Sequence, residues 1–227
     1  KEVSKEKPIV AVKSGKSEAG ASAASSHTGS LAGSDQVYDA AFKQTGVIRA
    51  DDFFHMFDIA KALEKQGAAD GENVSIVTDG GGAGVMATDA CEEQGLNLAE
   101  LSEETKSKIR EEFPPHAIVG NPTDVVGDTD KERYEIAIEN MINDDNVDGV
   151  VVIILFQVPL LENEVVDRVA EYANNTDKPI VACAMGGEHT KPHANKLERL
   201  GVPTYPSPER AVRAMKGLVD YGEYKKK

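Results

Sequence analysis

Six short runs of mainly β-branched and other apolar residues alternate with longer stretches of helical pattern, and this alternation constrains the fold most. Within each run the apolar residues mostly follow one another without alternating with polar ones, which is typical of parallel strands that are buried on both faces. Strands and helices in this order build a parallel sheet with crossover helices. The sequence therefore predicts an α/β fold with a doubly wound parallel sheet. The predicted strands are Pro8–Val12, Val47–Ala50, Val74–Thr78, Val150–Leu155, Pro179–Ala184 and Pro203–Tyr205.

Polar capping residues mark the starts of four helices between these runs. The predicted helix starts are Ser34-Asp35, Asp51-Asp52, Ser102 and Ser207. The first of these helices is expected to end at Gly46. The second is expected to carry four large apolar residues on one side, namely Phe54, Phe57, Ile59 and Leu63.

A weak internal repeat indicates two similar parts in the chain. The stretch KPIVAVKSG at Lys7–Gly15 resembles KPIVACAMGG at Lys178–Gly187. The stretch GVIRADDFFHMFDIAKAL from Gly46 resembles GVPTYPSPERAVRAMKGL from Gly201. Between its two matched stretches, the first copy holds 16 extra residues.

A polar link that contains glycine, Gln66–Glu72, separates the two parts. We therefore expect two domains, at residues 1–68 and 72–227. The second part has several predicted elements before its copy of the repeat, whereas the first has almost none. Because two strands do not make a complete doubly wound sheet, residues 1–68 are expected to be the C-terminal part of a domain that begins upstream of Lys1.

Charge and cysteine content narrow the classes of partner and the compartment. The formal net charge of −14 argues against a surface for nucleic acid or for anionic membranes. The sequence holds neither an apolar run of 18 residues nor a signal-peptide pattern. Cys91 and Cys183 lie in apolar patterns without a C-x-x-C partner, which predicts buried thiols in a reducing compartment. The expected location is the cytoplasm.

The extra residues of the first copy contain a histidine, His27, among small residues. From Ser17 to Ser34, 14 of 18 residues are Ser, Ala or Gly. Such a stretch is either a linker or a loop whose backbone comes close to an anion. Imidazole is a good phosphoryl acceptor, because one nitrogen attacks while the other is oriented by a partner. Composition alone leaves His27 open between an exposed loop residue and a nucleophile.

A second candidate site is the glycine-rich turn at Gly80–Gly84, between a predicted strand and a predicted helix. Free amides and the positive end of the helix dipole would bind an anion there. Gly82–Ala87 also reads G-x-G-x-x-A, and Glu100 follows Gly80 by 20 residues, so a dinucleotide site competes with a phosphate site. A tight turn without a ligand is the third possibility.

Three other motifs carry less information. NPTDVVGD at Asn121–Asp128 is a turn in which Asp124 would orient a loop or bind a ligand. VKSGKS at Val12–Ser17 ends like a P-loop but has Val10 where the first glycine belongs. His189 and His193 would make half a metal site, and the sequence offers no third ligand. We therefore predict no metal site in this chain.

Taken together, three stretches resemble the alpha subunit of ADP-forming acetyl-CoA synthetases, a family related to succinyl-CoA synthetase. They are KSGKSEAGASAASSHTGSLAGSD, TDGGGAGVMATDA and NPTDVVG. The resemblance covers essentially the whole chain. It implies a flavodoxin-like domain at residues 72–227 and the phosphohistidine-bearing part of a second, similar domain at residues 1–68. The dinucleotide interpretation of the glycine-rich turn is displaced by it.

The resemblance also implies a reaction and a set of site residues. The family converts acyl-CoA, ADP and phosphate to the acid, ATP and CoA through a phosphohistidine, which would be His27. The amides of Gly81, Gly82, Ala83 and Gly84 would bind phosphate. Residues expected to support the loop are Ser26, Thr28, Gly29, Ser30 and Asp124.

Cofactors and partners follow from the same resemblance. No tightly bound cofactor is expected. The substrates are CoA, ADP or ATP, and phosphate, with Mg²⁺ bound alongside the nucleotide in an ATP-grasp module. That module would be a beta subunit or a fused domain, a CoA-binding Rossmann domain would lie upstream, and the assembly would be a hetero-oligomer.

Two other functions remain as alternatives to the ligase. The first is a non-catalytic, ligand-sensing domain of a larger protein such as a protein acetyltransferase, although the intact His27-Thr28-Gly29 motif favours the ligase. The second is a nucleotide-binding oxidoreductase built on Gly80–Ala87.

Overall fold

The computed structural model describes residues 2–28, 34–161 and 163–227, with only the backbone of residues 27 and 28. The described strands are β1 Ile9–Val12, β2 Val47–Ala50, β3 Asn73–Thr78, β4 Asn97–Leu98, β5 Thr123–Asp124, β6 Gly149–Ile154, β7 Ile180–Ala184 and β8 Thr204–Tyr205. The described helices are α1 Glu2–Glu6, α2 Glu18–Thr28, α3 Asp35–Thr45, α4 Phe53–Lys65, α5 Gly81–Gln94, α6 Glu103–Glu112, α7 Lys131–Ile142, α8 Asn163–Asn174, α9 Lys191–Arg199 and α10 Pro208–Lys225.

The strands form two parallel sheets. β1 pairs with β2, with Ile9 opposite Val47. The larger sheet has the order β4-β3-β6-β7-β8, and β5 also pairs with β3. This order is that of flavodoxin-like folds, so the predicted fold class is confirmed. The direction of winding reverses at β3, and ligands bind at such a reversal in open α/β sheets.

The side chains of the larger sheet alternate between two apolar cores. Along β6, Val150, Val152 and Ile154 face one core, whereas Val151 and Ile153 face the other. Every residue of this strand is buried. A central strand with both faces covered needs apolar residues at every position, which explains the continuous runs in the sequence.

The six predicted strands are present with shifts of at most one residue at their ends, whereas β4 and β5 were not predicted. Each of these two strands has only two residues. So short a pairing has no hydrophobic period of its own and depends on the neighbouring strand. Tertiary contacts, rather than local propensity, therefore decide that these residues extend the sheet.

The region before His27 differs from the prediction, because residues Glu18–Thr28 form a helix rather than a loop. The Ser17 hydroxyl accepts a hydrogen bond from the Gly20 amide at 3.1 Å, in the manner of an N-cap. Alanine is the strongest helix former, and alanines recur through this segment. Small residues that indicate a linker by composition thus build helix α2.

The four predicted helix starts agree with the structure, although the side chains of Ser34 and Ser207 make no capping bond, and the predicted apolar side of α4 is wrong. The Asp52 carboxylate accepts from the His55 amide, and α3 ends at Gly46 with a φ of 71°. Phe54 and Phe57 are 75% and 65% exposed, whereas Ile59 is 1% exposed. Five positions along a helix turn a side chain by about 140°, so Phe54 and Ile59 lie on different faces.

The thiols of Cys91 and Cys183 are both buried, as predicted. Burial raises the pKa of Cys91 to about 11 and also raises the pKa of Cys183. Both thiols are therefore weak nucleophiles at neutral pH. No helix in the described part of the chain is both long and apolar enough to cross a membrane.

Candidate functional site

The glycine-rich turn joins β3 to α5 at the carboxyl edge of the larger sheet. Gly80 precedes α5 as its N-cap residue, and its amide donates to the Thr78 hydroxyl at 3.0 Å. The amides of Ala83 and Gly84 donate to the Gly80 carbonyl at 2.9 and 3.2 Å. The amides of Gly81 and Gly82 have no such partner among the described residues, and both residues are exposed.

This pattern reduces the number of backbone amides that are free to donate a hydrogen bond to phosphate. The first amides of a helix lack a partner within the helix and carry the positive end of its dipole. Ala83 and Gly84 are buried and their amides are occupied, which argues against them as direct donors. The open donors are therefore Gly81 and Gly82.

The glycines of the turn differ in the space around them. A Cβ at Gly80 would lie 2.5 Å from Leu155 Cδ1, and one at Gly84 would lie 3.0 Å from Thr78 Cγ2. A Cβ at Gly82 would meet no described atom within 4 Å. Packing therefore explains glycine at positions 80 and 84. Gly82 instead faces open space, where a ligand has room to approach.

The NPTD motif brings Asp124 to this turn. One Asp124 carboxylate oxygen accepts from the Val126 amide at 2.9 Å. The other, Oδ2, would lie 2.9 Å from a Cβ at Gly81. The negative charge of Asp124 thus lies beside the first turn of α5. This placement agrees with a supporting role, and the role itself stays a prediction.

Asn121 of the same motif joins β3 to the chain after β4. Its Oδ1 accepts from the Ile76 amide at 2.9 Å, and its Nδ2 donates to the carbonyls of Val74 and Ala99 at 2.8 and 3.0 Å. The Asn121 side chain therefore makes hydrogen bonds to the backbone that the main chain of a neighbouring strand would otherwise make. It holds the segment that ends in Asp124 against the sheet.

Replacing Asn121 by alanine is expected to lower the free energy of unfolding by about 2–4 kcal/mol, because buried backbone groups lose their partners. Urea denaturation measures this change. The matched control is Asn175→Ala, since exposed Asn175 makes a single bond to the Glu171 carbonyl at 2.7 Å and its loss should cost under about 0.5 kcal/mol. Equal losses in the two variants would contradict the role of Asn121.

Asp79 is a buried carboxyl beside the turn that the sequence analysis missed. It is 4% exposed, and its two oxygens lie 3.0 and 3.1 Å from the Leu155 amide. Burial raises the pKa of Asp79 to about 6, and the charge of Asp124 adds to the rise. The side chain thus holds the ends of β3 and β6 together. An acidic residue at a strand end just before a glycine-rich turn is the signal that could have found it.

Replacing Asp79 by asparagine is expected to stabilise the protein at pH 8 by about 2–3 kcal/mol and to have little effect near pH 4. The folded pKa of about 6 exceeds the ordinary 3.8, so the folded state binds the proton more tightly and loses stability as pH rises between these values. Urea denaturation at both pH values measures the difference. A gain of the same size at both pH values would contradict this charge effect.

The segment of His27 follows the carboxyl end of β1. The backbone of His27 lies in the last turn of α2, and Gly29 and Ser30 lie outside the described residues. The Ser26 hydroxyl donates to the Ser22 carbonyl at 2.9 Å, within the helix. The side chain of His27 lies outside the described atoms, so its placement beside the glycine-rich turn stays a prediction.

Exposed His189 and half-buried His193 lie together after β7. His189 Nε2 lies 3.1 Å from the Phe156 carbonyl oxygen, and the His193 ring stacks on Phe156 at 4.3 Å. Burial and the neighbouring His189 lower the pKa of His193. Within the described ranges, no three His, Cys, Asp or Glu residues are grouped so that they could hold a metal ion.

Two family models match the chain in succession. The model of the succinyl-CoA ligase like flavodoxin domain matches residues 1–63, and that of the Ligase-CoA domain matches residues 74–221. The second match covers well over half of the chain. The glycine-rich turn and Asp124 lie in the second match, and His27 lies in the first.

Curated relatives match nearly the whole chain. It is 44% identical to the alpha subunit of acetate–CoA ligase [ADP-forming] I of Pyrococcus furiosus, covering 100% of this chain and 49% of that protein. It is 41% identical to acetate–CoA ligase [ADP-forming] I of Archaeoglobus fulgidus, covering 98% of this chain and 31% of that protein. The chain thus spans half or less of the length of these relatives.

A solved structure is also similar over nearly the whole chain. The dinucleotide-forming acetyl-coenzyme A synthetase 1 of Ca. Korarchaeum cryptofilum, in complex with phosphate and ADP, superposes with a TM-score of 0.91. The sequence identity is 34%, over 99% of this chain and 49% of that one. The chain therefore belongs to the Ligase-CoA domain family, and its homologues are ADP-forming acetyl-CoA synthetases and their alpha subunits.

Proposed function

We propose that this chain is part of the alpha subunit of an ADP-forming acyl-CoA synthetase, which converts acyl-CoA, ADP and phosphate to the acid, ATP and CoA. The observation that carries the proposal is the alignment of the whole chain with an alpha subunit of that activity at 44% identity. The open amides of Gly81 and Gly82 support it, since they suit an anion such as phosphate.

The proposed chemistry has three steps. Phosphate attacks the thioester carbon, so that CoA leaves as the thiol and an acyl phosphate forms. An imidazole nitrogen of His27 then attacks phosphorus, and the bond to the acyl oxygen breaks to release the carboxylate. Finally, a terminal phosphate oxygen of ADP attacks phosphorus, and the N–P bond breaks to give ATP.

The residues of this chain have distinct proposed roles. His27 is the nucleophile and carries the phosphoryl group. The amides of Gly81 and Gly82, with the dipole of α5, stabilise the charge on the phosphoryl oxygens. Asp124 supports that turn from the side. Ser26, Thr28, Gly29 and Ser30 shape the surroundings of His27.

The other substrates are assigned to modules outside this chain. CoA would bind an upstream Rossmann domain, and ADP with Mg²⁺ would bind an ATP-grasp module in a beta subunit or a fused domain. One relative is named as an alpha subunit, which fits a separate beta subunit. Another is a longer protein whose name gives no subunit, which fits a fused domain. We propose a cytoplasmic hetero-oligomer with domains at residues 1–68 and 72–227.

Mapping of acid-labile phosphoryl groups tests the proposal. The full-length subunit, assembled with its partner, is incubated with ATP and Mg²⁺ and analysed by mass spectrometry at neutral to alkaline pH. A phosphoryl group on His27 supports the ligase. Its absence, together with retained ligand binding, would favour the ligand-sensing alternative, which the ligase names of the relatives do not favour.

A further inference from the structure

Helix α4 follows β2 in the chain, yet its central acidic residue pairs with the larger domain. Asp58 is 5% exposed, and its two oxygens accept from Arg210 Nε and Nη2 at 2.7 Å each. The hydroxyl of buried Tyr205, in β8, donates to the Asp58 carbonyl at 2.7 Å. This bidentate pair anchors α4 to the start of α10 and to the edge strand of the larger sheet.

A second set of bonds anchors the C-terminal half of α4. Lys61 Nζ donates to Glu198 Oε1 at 2.6 Å and to the Thr204 carbonyl at 2.5 Å. The Gln66 side chain donates to the Gly201 carbonyl at 2.9 Å and accepts from the Ile180 amide at 3.1 Å. These partners lie at the start of β7, in α9 and around β8. The helix therefore cannot turn or slide without breaking several buried or part-buried bonds.

Apolar packing attaches the smaller sheet to the same helix. Ile48 and Ala50 of β2 share a cluster with Ile59 of α4 and Tyr221 of α10. A Cβ at Gly217 would lie 2.6 Å from Ile59 Cγ2, so α4 and α10 are in close contact at this point. The β1–β2 unit is thus joined through α4 to the domain that holds the glycine-rich turn.

We propose that Asp58 and Arg210 are positioning residues for phosphoryl transfer, which hold the β1–β2 unit and the larger domain as one rigid body throughout the reaction. This inference rests on the proposed function, because the two units would carry His27 and the phosphate-binding turn. The link at Gln66–Glu72 then does not act as a hinge. Separating the units would leave the buried charge of Asp58 without its partner, which opposes such a motion.

An engineered disulfide between α4 and α10 tests the rigid body directly. A Cβ at Gly217 would lie 3.3 Å from the Cβ of Ile59, close to the separation of about 3.5–4.5 Å in disulfides. The variant Ile59→Cys/Gly217→Cys is made in the full-length enzyme with its partner. The rate of phosphohistidine formation from ATP is compared with and without reductant. The native thiols are buried, which limits side reactions.

The proposal expects the disulfide to change this rate by less than about twofold, since no separation is needed. Asp58→Asn should slow phosphohistidine formation by about tenfold or more, with a KM for ATP changed by less than about twofold. Adding the disulfide to Asp58→Asn should restore at least half of the lost rate, which a purely local loss of stability would not allow. The control Glu135→Gln removes the exposed pair with Arg168 and should leave the rate unchanged.

Loss of activity on oxidation of the disulfide, reversed by reductant, would overturn the rigid body. An unchanged rate in Asp58→Asn would overturn the positioning role. If the cysteine variant does not fold, a double-mutant cycle of Asp58→Asn and Arg210→Gln decides, because additive losses would contradict a coupled pair. If the wild-type enzyme forms no phosphohistidine on His27, the proposed function fails and this inference fails with it.

Discussion

Replacing His27 by alanine is expected to abolish the acid-labile phosphoryl group and to lower turnover by on the order of 10⁴-fold or more. The phosphoryl group would have no other acceptor in the proposed cycle, so ATP could form only by slow direct transfer. Stability should change little, because His27 lies near the end of helix α2, where substitutions are usually tolerated.

The measurement is stopped-flow or quench analysis of ATP formation, combined with mass spectrometry of the intact phosphorylated chain. His116→Ala is the matched control, because this exposed histidine pairs with the exposed carboxylate of Asp128, away from the residues assigned to the reaction. It should retain turnover within about twofold. Turnover by His27→Ala at a rate near that of the control would rule out His27 as the phosphoryl carrier.

Replacing Gly82 by aspartate is expected to raise the KM for phosphate by about 100-fold or more while leaving the protein as stable as before. The new carboxylate would occupy the open space in front of the free amides of Gly81 and Gly82, and its negative charge would repel phosphate. It would also lie in the first turn of α5, where a negative charge favours the helix, and replacing a helical glycine is itself favourable. Activity and stability should therefore respond in different ways.

Val85→Asp is the control for charge alone. Val85 is exposed one turn further along α5, so this variant adds the same charge beyond the free amides. It should raise the KM for phosphate by less than about threefold. Initial rates against phosphate concentration and thermal denaturation are measured for both variants. An equal effect of the two substitutions would mean that the start of α5 does not bind phosphate.

Much of the fold could be predicted from local pattern. The long strands were visible because residues such as Val150–Ile154 must satisfy two cores at once, which requires an unbroken apolar run. The caps at Asp52 and Ser102 were visible because their side chains bond to amides only three residues away. Each of these signals depends only on residues that lie close together in the sequence.

Features that depend on distant residues escaped prediction. Asn121 reads as a turn residue, yet its side chain bonds to β3 and to Ala99. Asp79 reads as an ordinary polar residue, yet it binds the amide of Leu155 across the sheet. For both residues the partner was not specified by composition. The small residues before His27 were misinterpreted for a local reason, because serine and glycine indicate a loop whereas the alanines and the Ser17 cap build a helix.

The sequence by itself determined the α/β fold class, six of the described strands, the position of the glycine-rich turn and the presence of His27, because these depend on residue type and on short-range spacing. Only the tertiary structure decided which amides of the turn are open, that Asp124 lies against Gly81, and that Asp58 pairs with Arg210. The last two pairs join residues that are 43 and 152 positions apart. Contacts over such distances arise from packing of the whole sheet and its helices, and no local pattern encodes them.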